Sequence, residues 1–264
     1  MGKLRIGLAV VTAMLMPGLA QADVISARLW SPGVVEIQAS QIGASVLQVE
    51  RFDRLATGTG GPIQSAFGRG PFSATYSGDF QILNADQYGG AGGVGKYIAS
   101  ARPQSAYTIN LTHDSTVPGV NFFGLELTAL DAGNKLTFLR GGNAVATYRS
   151  ADLEAIFGPC GGGPYCGNPT TRQNQGEAYG FLGFTDQTGT FDQITFQETT
   201  SGGLFESDNH TLAYVTPTAT TAAVAVPEPG TLALLMGFLA GLGLLWFAYR
   251  TVGTLGDTAR LHGD

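Results

Sequence analysis

The fold of this chain is decided by Val120–Tyr148, which reads VNFFGLELTAL, then DAGN, KLTFLR, GGN and AVATY. Leu125 and Leu127 alternate with polar residues, so the apolar side chains share one face of a β-strand. The segments Asp131–Asn134 and Gly141–Asn143 have the composition of tight polar turns. The stretch therefore predicts three consecutive strands joined by short turns, which is a β-meander.

Strand-like runs of the same kind continue on both sides of this stretch, and none shows the period of a soluble helix. We expect an all-β ectodomain over residues 23–215, folded as an antiparallel β-sandwich of the jelly-roll type, with residues 151–176 as a long loop. A second arrangement, two small β units divided within residues 84–104, also fits. The further runs are Val24–Trp30, Val34–Ile37, Val46–Val49, Phe72–Tyr76, Phe80–Leu83, Tyr107–Leu111, Tyr179–Phe184, Phe191–Gln197, Leu204–Glu206 and Thr211–Val215.

The composition limits the classes of function. The 264 residues carry a formal net charge of -6, and only 13% of them are charged. Nucleic-acid binding calls for clustered Lys and Arg, so the acidic balance argues against a nucleic-acid partner. The 39 glycines fit short strands linked by many turns. The composition is typical of an exported domain that is large enough to bury a core.

The first 22 residues have the pattern of a signal peptide. Lys3 and Arg5 precede the apolar run Ile6–Met16, and Ala20 and Ala22 complete an A-x-A cleavage site. An uncleaved anchor is the alternative, but the apolar run is too short to span a bilayer. The mature chain is therefore expected to begin near Asp23, outside the cytoplasm.

The two cysteines are consistent with export. Cys160 and Cys166 flank GGGPY, a loop that can bring its two ends together. In an oxidising compartment such a pair is expected to form a disulfide. A metal site would need further ligands, and no other His or Cys lies nearby in the sequence. A thioredoxin-type redox pair would have two intervening residues rather than five.

The C-terminal part has the pattern of a membrane anchor. A Thr/Ala/Pro linker, residues 216–225, precedes Val226-Pro227-Glu228-Pro229, and an apolar run then continues to Tyr249. A helix over residues 231–249 would rise about 28 Å, close to the thickness of the bilayer core. Arg250 follows as a topology stop on the cytoplasmic side, and residues 251–264 form a short cytoplasmic tail. A buried core helix is the alternative, although the run is apolar on all faces.

This combination of a Pro-Glu-Pro motif, an apolar helix and a basic stop resembles the PEP-CTERM signal of exosortase-dependent surface proteins. The resemblance implies that an exosortase-like membrane enzyme acts near Pro227-Glu228-Pro229 and that this chain is its substrate. One departure concerns the basic stop. The signal usually ends in several arginines near the C-terminus, whereas here Arg250 stands alone and fourteen residues follow it.

Residues 105–215 also resemble the body of some exosortase-dependent surface proteins. The similar segments are Phe122–Leu125, Asn134–Phe138, Gly180–Phe184, Phe191–Phe196 and Phe205–Asn209. This resemblance implies a β-rich ectodomain with no assigned enzymatic activity.

Two patterns of catalytic or nucleotide-binding type are incomplete. The segment Gly90–Lys96 fits G-x-x-x-x-G-K, but Tyr97 stands where a phosphate loop needs Ser or Thr, so no nucleotide is expected. His113, His210 and His262 are scattered and belong to no metalloprotease or nucleophile-elbow motif. We therefore predict that the protein is not an enzyme. A Ser-His-Asp set assembled in three dimensions around His113 or His210 remains open.

One cofactor is considered. Glu206 and Asp208 lie two residues apart on a strand-like run, so both can face one way, and Asn209 follows. Carboxylate and amide oxygens are the ligands that calcium prefers. The alternative interpretation is a solvated face and turn, since the ligand set is only partial, and no other cofactor is expected.

The sequence thus favours a non-enzymatic protein that passes through the inner membrane to the cell envelope, cell surface or extracellular matrix, with exopolysaccharide as a partner. The alternative is a carbohydrate-binding or adhesive module with a structural calcium, and a third hypothesis is a secreted hydrolase with paired carboxylates in a cleft. The aromatic residues that could stack on sugars are Trp30, Tyr76, Tyr88, Tyr97 and Tyr148.

Overall fold

A computed structural model describes residues 25–216. The signal peptide with Ala20 and Ala22 lies outside the described residues, and so do almost all of the linker and the whole C-terminal signal. The predictions for Val226–Pro229, for the membrane helix over 231–249, for Arg250 and for the tail therefore stay predictions. Within residues 25–216 the structure has no helix that is long and apolar enough to cross a membrane.

The described part of the chain is built of β-strands, with one short α-helix and two single-turn 3₁₀ helices, Ala39–Gln41 and Ala91–Gly93. In chain order the elements are β1 Ile25–Leu29, β2 Ala44–Glu50, β3 Gly58–Thr59, β4 Ile63–Ser65, β5 Phe72–Gly78, β6 Phe80–Asn84, β7 Lys96–Ser100, β8 Ala106–His113, β9 Phe122–Thr128, β10 Asn134–Arg140, β11 Asn143–Arg149, α1 Ser150–Phe157, β12 Gly180–Asp186, β13 Gln193–Glu198 and β14 Glu206–Val215.

The strands form two antiparallel sheets. The first sheet has the order β1-β12-β9-β14-β7-β6-β3, and β2 also pairs with β14. The second sheet has the order β11-β10-β13-β8-β5-β4. The expected antiparallel β-sandwich is confirmed at this level. The strands of residues 25–216 belong to a single compact unit, so the alternative of two β units divided near residues 84–104 is wrong.

Aromatic side chains fill the space between the sheets. Phe123 of the first sheet packs edge-on against Phe138 of the second, with ring centroids 6.3 Å apart. Tyr107 and Phe196 stack at 4.6 Å on the inner face of the second sheet. All four side chains are fully buried. Burial of each such ring stabilises the fold by about 1.5–3 kcal/mol, because its apolar surface leaves water.

The predicted β-meander is only half right. β10 and β11 form the expected hairpin, from Lys135 opposite Arg149 to Arg140 opposite Asn143. β9, however, pairs with β12 and β14 in the first sheet and not with β10. The Asp131–Asn134 turn therefore crosses from one sheet to the other. The reason is that alternation specifies which side chains share a face, but it does not specify the neighbouring strand.

Three local predictions also differ from the structure. Val34–Ile37 is not a strand; it lies in a loop whose Ile37 is buried with Trp30 and Phe181. The predicted 151–176 loop begins with most of α1, which buries Leu153 and Phe157 one turn apart. The runs Leu204–Glu206 and Thr211–Val215 are not two strands, because the polar residues between them continue β14 without a break.

Candidate functional site

β14 carries the unusual chemistry of the molecule. Its segment Glu206–Thr211 reads ESDNHT, and every one of these polar residues is buried. These residues are buried because β14 lies inside the first sheet, between β9 on one side and β7 and β2 on the other. A bulge lies between Asp208 and Thr211, where Asn209 has φ 47°, a left-handed conformation that Asn tolerates. The extra residue turns His210 toward the second sheet.

A hydrogen-bonded network occupies the inner face of β14. His210 Nδ1 lies 3.1 Å from the hydroxyl of Tyr76, and its Nε2 lies 2.9 Å from Oγ of Ser207. Ser207 Oγ in turn lies 3.2 Å from the hydroxyl of Tyr107. Burial lowers the pKa of His210 to about 3, so the imidazole is neutral. The network joins the two sheets through buried polar groups that are all paired.

The Ser207–His210 contact has the geometry of a nucleophile and its base. The other ring nitrogen of His210 contacts Tyr76, however, whereas a catalytic triad would place a carboxylate there. Ser207 and His210 are both completely buried, so a substrate cannot reach them. His113 lies at the end of β8, where its Nδ1 is 2.9 Å from the carbonyl oxygen of Asp114. The structure therefore does not assemble the Ser-His-Asp set that the sequence left open.

The outer face of β14 is acidic. Glu206 and Asp208 lie directly opposite Thr128 and Glu126 of β9. Within the described residues, Oε2 of Glu206, Oε2 of Glu126 and Oγ1 of Thr128 are buried without a hydrogen-bond partner. Unpaired buried oxygens of this kind destabilise a fold, and the cost is far larger for an ionised carboxylate than for a neutral carboxyl.

Burial favours the protonated form of these carboxyls and raises the pKa of each. It raises the pKa of Glu206 to about 9, and the charges of Asp131 and Glu177 add to the effect. It raises the pKa of Asp208 to about 7, although the N–H groups of Ala91 and Asn209 act in the opposite direction. Burial and the charge of Asp208 raise the pKa of Glu126 well above its usual range.

The structure separates the three predicted calcium ligands. Glu206 and Asp208 do share a face, as expected, but the amide of Asn209 donates to the carbonyl oxygen of Val35 at 2.8 Å. Oδ2 of Asp208 already accepts the N–H of Ala91 at 2.8 Å. Among residues 25–216, no group of three or more His, Cys, Asp or Glu side chains is arranged to hold a metal. The alternative interpretation, a solvated face, is wrong because these residues are buried, and calcium stays a prediction.

The glycine-rich segment Gly90–Lys96 contacts this acidic face at Asp208. Ala91 donates to Asp208, and Lys96 opens β7. The ammonium of Lys96 donates to the carbonyl oxygens of Asp53 and Leu55, at 3.1 and 2.5 Å. A phosphate loop follows a strand and opens a helix, whereas this segment leads into a strand. Its lysine therefore fixes a neighbouring loop.

The predicted disulfide is confirmed. Cys160 and Cys166 are bonded, with their Cα atoms 5.3 Å apart. The loop that they close follows α1 and includes Tyr165, whose hydroxyl donates to the carbonyl oxygen of Trp30 at 2.9 Å. The bond thus fastens the loop beside the end of β1.

Most of the aromatic residues that the sequence suggested for sugar stacking cannot present a ring to a sugar. Trp30, Tyr76 and Tyr97 are buried, and Tyr148 is half-buried with its hydroxyl donating to the carbonyl oxygen of Ile25. Tyr88 remains 42% exposed. Of the five candidates, Tyr88 is therefore the one that can present a ring to a ligand.

A pocket of about 300 Å³, which no sequence motif predicts, lies beside the end of β2. Its lining residues are Val49, Glu50, Arg51, Asp53, Arg54 and Gly68. They come from the end of β2, from the loop that follows it and from the loop before β5, and they contain no local motif. A weak signal was available, because Phe52 and Phe67 are bulky residues within polar, glycine-rich loops. Each of them marks a point where a loop is fastened to the core.

The pocket has two walls, the chain around Phe52 and the chain just before Gly68, and each contains a residue with a strained backbone. Phe52 and Phe67 have φ values of 59° and 47°, a region that bulky residues rarely adopt. Both rings are buried against Tyr76, with centroids 5.6 and 6.4 Å away. Oε1 of Glu50 accepts the N–H of Phe52 at 2.8 Å, and Oε2 accepts the hydroxyl of Ser65. The same hydroxyl oxygen accepts the N–H of Phe67, so one carboxylate holds both walls.

Comparison with known proteins assigns this chain to no family. The chain matches no family model and no curated protein. One solved structure with some similarity is an exo-β-1,3-galactanase from Phanerochaete chrysosporium, determined with galactose. The sequences are 13% identical, the match covers 60% of this chain and 29% of that one, and the TM-score is 0.28. A similarity at this level supports no inference about function.

Proposed function

We propose that this protein is a non-enzymatic component of the cell surface or extracellular matrix, exported by its N-terminal signal and sorted by an exosortase-like enzyme. The observation that carries the proposal is the sequence Val226–Arg250, in which Pro227-Glu228-Pro229 precedes a bilayer-length apolar run and a basic residue. Two observations on the described residues support it. The Cys160–Cys166 disulfide suits an oxidising compartment, and the Ser207–His210 pair is closed to substrates.

In this proposal the ectodomain is a jelly roll. From β7 onward, β7, β9, β12 and β14 belong to the first sheet, and β8, β10, β11 and β13 belong to the second. The order β7-β14-β9-β12 facing β8-β13-β10-β11 has the strand connections of a double Greek key. Such a sandwich is a stable module that can stand on a tether outside the cell.

Replacing Pro227, Glu228 and Pro229 by Ala tests the sorting proposal. The wild-type chain should be shortened and leave the inner membrane, whereas the variant should keep its full length and stay membrane-bound. Mass spectrometry and cell fractionation read out both results. The matched control replaces Thr218, Thr220 and Thr221 by Ala, which changes the linker and leaves the motif intact. Unchanged maturation of the Pro-Glu-Pro variant would reject the proposal.

A second candidate function is a carbohydrate-binding or adhesive module, and the pocket beside β2 favours it. Its volume of about 300 Å³ and its several polar side chains match the lower range of small-molecule sites. A glycan array probed with the full chain in detergent, with and without a calcium chelator, tests this candidate. Binding that the chelator abolishes would support both the carbohydrate role and the calcium, whereas binding that it leaves intact would support the carbohydrate role alone. A blank array would reject the candidate.

A further inference from the structure

The pocket beside β2 is built before any ligand arrives. Both carboxylate oxygens of Glu50 accept hydrogen bonds within the protein, one from the N–H of Phe52 and one from the hydroxyl of Ser65, so the role of Glu50 is to hold the two walls. Phe52 also packs edge-on against His210, with centroids 5.1 Å apart, which ties one wall to the inner network of β14. Left-handed backbone at bulky residues persists only where the surroundings enforce it, and such strain concentrates at ligand sites.

The two arginines of the pocket differ in their partners. Arg51 is neutralised, because its Nε and Nη2 donate to the Glu36 carboxylate at 2.9 and 2.6 Å. Arg54 is exposed, and within residues 25–216 its guanidinium has no hydrogen-bonded or ionic partner. A free guanidinium at the mouth of a preformed pocket is suited to a planar anion, since its N–H groups match a carboxylate in a bidentate pair.

An acceptor lies next to this donor. Asp53 uses Oδ1 to accept the N–H of Lys96 at 2.9 Å, and the other hydrogen bond at this residue goes to its backbone carbonyl oxygen. Within the described residues, Oδ2 of Asp53 has no donor and is free to accept one. The pocket therefore offers a cationic donor at Arg54 and an anionic acceptor at Asp53, which are adjacent in the chain.

We propose that this pocket binds a uronic-acid residue of an acidic polysaccharide, with the sugar carboxylate on Arg54 and a ring hydroxyl on Asp53. A sugar of this class carries both groups on one ring, so it satisfies the donor and the acceptor together. A neutral sugar gives Arg54 no anionic partner, and a simple carboxylate gives Asp53 no donor. The inference names the ligand of the carbohydrate-binding candidate and rests on that function.

Calorimetric titration of the full chain in detergent tests the proposal with two matched trisaccharides of the same linkage, one of galacturonic acid and one of neutral galactose. The acidic trisaccharide should bind at least about tenfold more tightly, because a charge-assisted pair contributes that much. Arg54→Gln should weaken binding of the acidic ligand by about tenfold or more and remove the preference. The matched control, Arg102→Gln, removes an exposed arginine that does not line the pocket and should bind like the wild type.

Three further readouts complete the test. Free acetate should bind more weakly than the acidic trisaccharide, because it cannot use Asp53, and Asp53→Asn should reduce affinity for the trisaccharide several-fold. Equal affinity for both trisaccharides, or an Arg54→Gln variant that binds like the wild type, would overturn the inference. If the inference failed in this way, binding of neutral glycans on the array would still support a carbohydrate-binding function. A blank array would reject both that function and the uronic-acid proposal. Melting temperatures of the variants confirm that each is folded.

Discussion

The buried carboxyl of Glu206 should make the stability of the sandwich fall as pH rises. Burial, reinforced by the charges of Asp131 and Glu177, raises its pKa from 4.5 to about 9. Between these two values the unfolded chain has released a proton that the folded chain keeps. The free energy of unfolding therefore falls as pH rises from about 4.5 to about 9, and it stops falling above the pKa of the folded state.

The magnitude follows from one proton. Each pH unit in the window changes the free energy of unfolding by about 1.4 kcal/mol per proton released. From pH 5 to pH 8 the loss due to Glu206 is thus on the order of 4 kcal/mol. Glu206→Gln keeps the shape of the protonated side chain and cannot ionise, so it should remove this loss. At pH 5 the variant should match the wild type within about 1 kcal/mol, and at pH 8 it should be the more stable protein.

Urea unfolding followed by far-UV circular dichroism, at pH 5, 6, 7 and 8, measures the effect on the full chain in detergent. Asp208 and Glu126 titrate with the same sign, but they are present in both proteins, so the difference between the two curves isolates Glu206. The control is Glu154→Gln, which changes an exposed carboxylate on α1. Parallel curves for the wild type and Glu206→Gln would refute the reasoning, because they would show a hydrated or ionised Glu206 in the folded state.

Two other changes test the inner network and the disulfide. Tyr76→Phe removes the hydroxyl 3.1 Å from His210 Nδ1 and should lower the free energy of unfolding by about 1–3 kcal/mol. The control Tyr88→Phe, at an exposed site, should have little effect. If Tyr76→Phe left the free energy of unfolding unchanged, the contact would contribute nothing to stability. Replacing Cys160 and Cys166 together by Ser should cost roughly 2 kcal/mol, because the bond closes a short loop, and reduction of the wild type should reproduce the loss. Equal stability of the oxidised protein and the double variant would contradict this.

The sequence was informative where a feature depends on neighbours in the chain. The strand-like runs on either side of the polar Gly141–Asn143 turn predicted the β10–β11 hairpin. The disulfide followed from two cysteines in one short loop. The shared face of Glu206 and Asp208 followed from their spacing. Each of these needs only a few consecutive residues and the geometry of a strand.

Features that depend on distant segments were not predictable in this way. The transfer of β9 to the first sheet reflects its pairing with β12 and β14, which begin about fifty and eighty residues further along. The pocket needs the β2 end and Gly68 to meet, and its lining is ordinary loop composition. α1 was missed because its eight residues are short for a periodic signal, and packing of Leu153 and Phe157 stabilises it.

The ESDNHT segment shows why a polar run need not be a loop. Sequence patterns treat it as a break between two strands, yet both of its faces are covered and it continues β14. Its two faces are stabilised differently. Ser207 and His210 are fully paired across the sandwich, whereas Glu206 keeps an unpaired oxygen under the outer covering. Because only the outer carboxyls depend on remaining protonated, a rise in pH should weaken the first sheet from its outer face and leave the inner network intact.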